Sequence, residues 1–301
     1  MRRRLMSDFT PETRNSAIWS GDSRKVANGK ANDVILTKLG LMKIEDISHI
    51  EAVQMGHVME PVIGRLAQEK LKTELVKIEE SLTHPKESWL RSHFDFAGKI
   101  AGKTVLVECK NYNAQVRNKF EGTNIPAADL AQLVHEATVY GTDTMYLAVL
   151  FGGQEFYLQE FHITEEMKLN LIKQMAEVWA RVLTKDPLPP ESTDQVKLMF
   201  PFDDGSSKTA SQSVEMACSQ LAMVKGNIKA LKVQEEVLQT LIQGYMGEKG
   251  SLFSLDGKVL ATWKTAKSSK KFDAESFQSA MPEIYEQFVG EFPGSRRFLV
   301  K

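Results

Sequence analysis

Asp95, Glu108 and Lys110 are the residues of this chain whose types and spacing could do chemistry: an acid, twelve residues, a second acid, one residue, a lysine. The last two close the run Thr104-Val105-Leu106-Val107-Glu108-Cys109-Lys110, β-branched and apolar until it ends in charge, which reads as a short strand. Side chains on a strand alternate faces, so Glu108 and Lys110 project to one side with Leu106, and Val105, Val107 and Cys109 to the other. An acid and a lysine ending a buried strand are costly unless something pairs them. A metal ion and a phosphate would do so, and carboxylate oxygens are hard ligands suited to Mg²⁺, with Mn²⁺ as an alternative.

Other elements must position these groups. Leu90–Phe96 reads as a partner strand carrying Asp95, with Ala97–Lys103 as the turn between the two strands. Val62, Ile63, Leu66, Ala67 and Leu71 make one helical face. Glu60 stands before Pro61, a residue that fits a helix first turn, which makes Glu60 an acid favoured by the helix dipole. Val34–Leu41 reads as a short helix ending at Gly40, and Leu75–Leu82 as a strand. Residues 127–141 form a helix closed by Gly141, on which Gln132, taken alone, is a surface residue. Met145–Phe151 and Gln154–Phe161, joined through Gly152-Gly153, predict a hairpin. Residues 164–184 form an amphipathic helix bearing Trp179, and Pro187–Pro190 end the domain. His84, before Pro85, reads as a loop residue, Trp89 as core and His93 as structural. Near the start, a turn around Gly21, with Arg14, Ser20, Ser23 and Arg24, could present N–H groups and arginine to a phosphate; a solvated loop is the plain alternative.

The Asp95…Glu108-x-Lys110 spacing resembles the PD-(D/E)XK nuclease signature. Further blocks narrow the resemblance to the YqaJ-like, lambda-exonuclease-type branch. Gly56-His57-Val58-Met59-Glu60-Pro61 is similar to that branch's Gly…Glu-Pro block, and His84-Pro85…Trp89-Leu90 to its approach to the aspartate. Gln132, His135 and Gly141 match its Tyr-x-x-Gln-x-Gln-His-x-Met-x-x-x-Gly helix, although Asp129 replaces the tyrosine and Val134 the second glutamine. Ser20-Gly21-Asp22-Ser23 stands where the branch has a Gly-Gly-Ser-Asp-type turn, with Asp and Ser in swapped order. The likeness runs over about residues 12–190, order intact. It implies a restriction-endonuclease-like α/β fold, with a mixed central sheet flanked by helices. It also implies a metal-dependent DNA exonuclease, 5′→3′ on linear duplex, leaving 3′ single strands for an annealing protein, and often a ring-shaped trimer. In that frame Asp95, Glu108, the Cys109 carbonyl and Glu60 would hold the metal. Lys110 would orient or deprotonate water and offset phosphate charge, Gln132 would position phosphate or water, and Arg14, Ser20, Ser23 and Arg24 would meet phosphate. Alternatives are an endonuclease on the same site, or a DNA-end-binding or annealing-partner scaffold with weak catalysis.

Composition bounds the rest. A formal net charge of -1 gives no global basic footprint. Two distant cysteines, Cys109 and Cys218, give neither a disulfide framework nor zinc spacing, so the cytoplasm, of a bacterial host if phage-encoded, is the expected compartment. Met1-Arg2-Arg3-Arg4 is followed by no apolar stretch of a signal peptide, and no run reaches transmembrane length. Residues 1–190 are expected to form the nuclease domain, 191–210 a linker, and 211–301 a C-terminal region of long helix, β-hairpin and helix. Val214, Ala217, Leu221, Val224, Ile228, Leu231, Leu238, Ile242 and Tyr245 follow 3-4 spacing, broken by Glu235, as in a coiled-coil seam or a long helix packed on its own domain. Asp256-Gly257 signals a type I′ hairpin, and Phe272–Val289 a last helix. Lys264, Lys267, Lys270, Lys271, Arg296 and Arg297 give a basic side, either solvated or tracking phosphates.

Overall fold

The computed structural model describes residues 10–121, 123–291 and 294–300; the Met1–Arg4 start lies outside them. The chain divides after Phe200 into two compact units. The first contains, in order, α1 (Pro11–Asn15), β1 (Ile18–Trp19), α2 (Ser20–Ala27), α3 (Ala31–Lys38), α4 (Glu51–Leu71), β2 (Leu75–Lys77), β3 (Leu82–Thr83), β4 (Leu90–Ser92), β5 (Phe96–Ile100), β6 (Lys103–Tyr112), α5 (Ala127–Tyr140), β7 (Thr144–Phe151), β8 (Glu155–His162), α6 (Glu165–Thr184) and α7 (Thr193–Met199).

The central sheet has the order β2-β5-β6-β7-β8, with β6 and β7 parallel and the other pairs antiparallel. It is the mixed sheet flanked by helices that the sequence implied. The alternation read along β6 decides its two faces. Val105 and Val107 pack with Ile63 and Ala67 of α4, while Leu106 joins Leu133 and Ala137 of α5 and the buried residues of α6. A smaller sheet, β1-β4-β3, has β1 parallel to β4.

Several expected boundaries move, each for a local reason. The partner of β6 begins at Phe96 rather than Leu90, because Leu90–Ser92 pairs with β1 and β3 instead. The expected turn shrinks to Ala101-Gly102, both at positive φ (49° and 78°), as a two-residue hairpin requires. The strand expected over Leu75–Leu82 is two short strands, β2 and β3, in different sheets. Pro61 lies inside the 21-residue α4, not in its first turn, so Glu60 is a mid-helix acid and gains nothing from a helix N-terminus. Ser20-Gly21-Asp22-Ser23 opens α2 instead of forming a turn, because Asp22 accepts the Trp19 N–H at 2.9 Å and caps the helix. Within the stretch read as a linker, α7 is anchored through Gln195, which accepts from Asn32 at 2.9 Å and donates to Asp33 at 2.7 Å.

The second unit contains α8 (Gln212–Met246), β9 (Ser251–Phe253), β10 (Val259–Thr262), α9 (Ala274–Ala280) and α10 (Pro282–Phe288). The β9–β10 hairpin forms, but across five residues: Gly257 alone takes positive φ (83°), and its N–H donates to Ser254 O at 3.0 Å, so the loop is longer than a type I′ turn. The last helix is two, because Pro282 disfavours helical geometry at Met281, which sits at φ -139° and ψ 61°.

Candidate active site

The cleft is created where β5 leaves β6. Their ladder ends at the Phe96–Val107 pair, whereas β6 stays paired with β7 as far as Tyr112–Phe151. Glu108, Lys110 and Tyr112 therefore leave the sheet along an opened edge. Asp95, the residue before β5, closes the start of that edge by accepting the Cys109 N–H on Oδ2 at 2.8 Å. The cleft, of about 580 Å³, takes Glu60 from α4, Asp95 from just before β5, Glu108 and Lys110 from β6, Gln132 from α5 and Arg24 from α2. Three helices, with α4 and α5 on opposite sheet faces, thus contribute to one opening.

Gln132 ties the polar groups together. Its Nε2 donates to Glu108 Oε1 at 2.6 Å and to Glu136 Oε1 at 2.7 Å. Its Oε1 accepts from Lys110 Nζ and from Arg24, each at 2.9 Å. Lys110 Nζ also lies 2.5 Å from Glu108 Oε1. Burial, the largest single influence, would pull the Lys110 ammonium down, but the charge and hydrogen bond of Glu108 together with Tyr112 outweigh it and hold the group above its ordinary value. Burial, and then the charges of Glu108 and Glu60, push the Asp95 carboxyl well above its usual range. Glu136 is raised likewise, first by burial and then by Glu108. Burial, with Asp95 next, drives the Cys109 thiol upward, so Cys109 is no thiolate ligand and offers its main chain instead.

The donor set fits a hard divalent cation. Asp95 and Glu108 supply carboxylate oxygens, Cys109 a carbonyl, and the pressure of acid on acid at Asp95 is a charge deficit that a cation would meet. Among the described residues, however, no three His, Cys, Asp or Glu side chains group closely enough to hold an ion by themselves. Glu60, expected to complete the shell, faces the cleft but is paired with Lys77 Nζ at 2.6 Å. Mg²⁺ needs only one or two carboxylates, taking water and substrate oxygens for the rest.

The expected phosphate group divides. Ser20 and Arg24 line the cleft. Ser23 is buried, its hydroxyl 2.7 Å from His135 Nδ1, and Arg14 stacks over the Trp19 ring at 5.0 Å while its carbonyl accepts from Lys38. His135 Nε2 meets the Arg91 carbonyl at 2.9 Å. A carbonyl only accepts, so Nε2 carries the proton and Nδ1 accepts from Ser23. His84 caps its own loop, accepting the Glu87 N–H at 3.0 Å; Trp89 stacks on Trp179, and His93 on Trp19.

Four participants escaped the sequence reading. Tyr112 donates to Asp129 Oδ1 at 2.8 Å, Asp129 pairs with Arg24, Glu136 holds Gln132, and Lys77 holds Glu60. Period two from Glu108 through Lys110 reaches Tyr112, and one helical turn from Gln132 reaches Glu136, so those two carried a signal. The ion pairs of Arg24 and Lys77 are long-range and carried none.

Residues 15–144 match the family model of the YqaJ-like viral recombinase domain. A Bacillus subtilis (strain 168) protein, "Uncharacterized protein YqaJ", is 22% identical over 274 residues, covering 88% of this chain and 84% of its own. Among solved structures, an alkaline exonuclease from Laribacter hongkongensis has TM-score 0.47 at 10% identity, covering 57% of this chain and 91% of its own. A phage-related exonuclease from Haemophilus somnus 129PT has TM-score 0.44 at 10% identity, over 56% and 94%. The matched residues span every side chain that lines the cleft, so the likeness to the YqaJ-like viral recombinase domain falls on the candidate site itself.

Proposed function

We propose that this protein is a metal-dependent DNA exonuclease acting on linear duplex ends, 5′→3′, in the cytoplasm of a bacterial host, leaving 3′ single strands for an annealing protein. The observation that carries the reading is the convergence of Asp95, Glu108, Lys110 and Gln132 on the opened end of β6. Asp95, Glu108 and the Cys109 carbonyl would hold Mg²⁺ or Mn²⁺. Such an ion, when bound, acidifies water and stabilises charge on the phosphate. Lys110, held charged by Glu108, offsets phosphate charge and orients the attacking water, a role that suits a protonated ammonium better than that of a base. Gln132 fixes the Lys110 ammonium and the Glu108 carboxylate at once, so both keep their places as substrate enters. Arg24 stands 2.9 Å from Gln132 Oε1, anchored from behind by Asp129, and is the cleft's own candidate for a terminal phosphate.

The test is a linear duplex labelled at either end, with and without a 5′-phosphate, beside a closed circle, in Mg²⁺ and in EDTA. The reading expects loss of label from the 5′ end of linear DNA, dependent on Mg²⁺ and faster with the phosphate. Cutting of the circle would establish an endonuclease on the same site. Binding of ends without hydrolysis would establish a scaffold.

A further inference from the structure

The geometry points to α8 as a pairing surface for a second copy of this chain, with the two helices antiparallel. It is a 35-residue helix, about 52 Å long at 1.5 Å per residue. Its apolar seam lies open: Val224 is 50% exposed, Leu231 62% and Tyr245 81%. The seam predicts its own occupant, because its residues complement each other only when one copy is reversed.

Lay two α8 helices antiparallel so that Ile228 of each faces Leu231 of the other. Every further layer then follows without adjustment. Leu221 meets Leu238, Val214 meets Tyr245, Ala217 meets Ile242 and Val224 meets Glu235. Each small side chain faces a large one, which fills space evenly along the seam. In the parallel arrangement each layer meets itself. Ala217 then faces Ala217 and leaves a void, Tyr245 crowds Tyr245, and Glu235 opposes Glu235, two like charges in the seam. Reversal places Glu235 beside Val224 instead, one residue from Lys225 of the second copy, whose ammonium lies 5.7 Å from the Phe298 ring centre within its own chain and would turn to the only acid in the seam. Gly226, which weakens a helix by about 1 kcal/mol relative to Ala, faces away from the seam, with open space around it. This pairing is independent of the chemistry proposed for the first unit.

Cys218 is exposed on α8 and serves as a built-in ruler. Full-length protein, spin-labelled at Cys218, is examined by dipolar electron resonance at tens of micromolar, with Cys218→Ser as the control for label on Cys109. Antiparallel pairing places the two labels about 35 Å apart along the axis; parallel pairing places them on the order of 10 Å apart. Ile228→Asp, which charges the central layer twice, should abolish the long distance while circular dichroism retains the helix. Glu235→Leu should tighten association tenfold or more. A distance on the order of 10 Å, no dipolar coupling at that concentration, or a long distance that survives Ile228→Asp would each overturn the pairing.

Discussion

Lys110 sits between acceptors, with Glu108 on one side and the Gln132 carbonyl on the other, and its charge is part of the site's structure as well as of the chemistry proposed for it. Lys110→Met should therefore lower DNA hydrolysis by about 100-fold or more, the scale of a lost electrostatic group. Binding of Mg²⁺, followed as the stabilisation it gives in thermal melts, should persist. If hydrolysis by Lys110→Met equals that of the parent, the lysine has no role in turnover. Asp95→Asn separates two duties. The amide still accepts the Cys109 N–H, while the negative charge crowded by Glu108 and Glu60 is gone. Hydrolysis should disappear, the melting temperature without Mg²⁺ should hold or rise, and the shift given by Mg²⁺ should shrink. Glu108→Ala should differ, because it strips a buried ammonium of its counter-ion and costs stability even without metal.

At the scale of elements, α5 is clasped to α2 and β4 through His135, whose ring is buried between Ser23 and the Arg91 carbonyl. Burial pushes this imidazole down to about 4 from its ordinary 6.5. The unfolded chain then binds a proton that the folded chain refuses. Stability is complete above pH 6.5 and is lost as the pH falls toward 4, by about 3 kcal/mol in all. Urea denaturation at pH 7 and pH 5 should show the loss, and His135→Gln should flatten the slope. α4 approaches the sheet closely enough that a Cβ on Gly64 would lie 2.5 Å from the Phe96 ring. Gly64→Ala should cost about 1–3 kcal/mol through overpacking, read from denaturant midpoints. These elements also show what a sequence discloses. β6 was legible because period-two alternation and the charge at its end are local signals, and α5 because Gly141 stops it at φ 83°. The place of Pro61 was not legible: proline favours a first turn by local rules, and only the packing of α4 along the sheet carries the helix through it. Nor was the fate of Ser23 or Glu60 legible, since each is decided by a residue distant in sequence or on another element, His135 and Lys77.

At the scale of the whole molecule, the role proposed for Arg24 ties substrate choice to architecture. Arg24→Ala should erase any preference for a 5′-phosphate on linear duplex while part of the Mg²⁺-dependent hydrolysis remains; equal loss on phosphate and hydroxyl ends would make Arg24 a structural partner of Asp129 alone. The parallel register of β6 and β7 carries a further consequence, for the order in which the molecule assembles. The β5–β6 hairpin closes across Ala101-Gly102, a loop with little entropy to lose. A parallel neighbour cannot be reached by a tight turn, so the chain leaves β6 at Tyr112 and returns to β7 at Thr144 by way of α5. The closure of that long excursion is what brings Gln132 to Lys110. Loop-closure entropy therefore favours an order of assembly in which the strand's two charges are placed early and their organiser late. An intermediate stopped between the two would carry Asp95, Glu108 and Lys110 on a formed hairpin, able to attract a cation but without the amide that holds them in line.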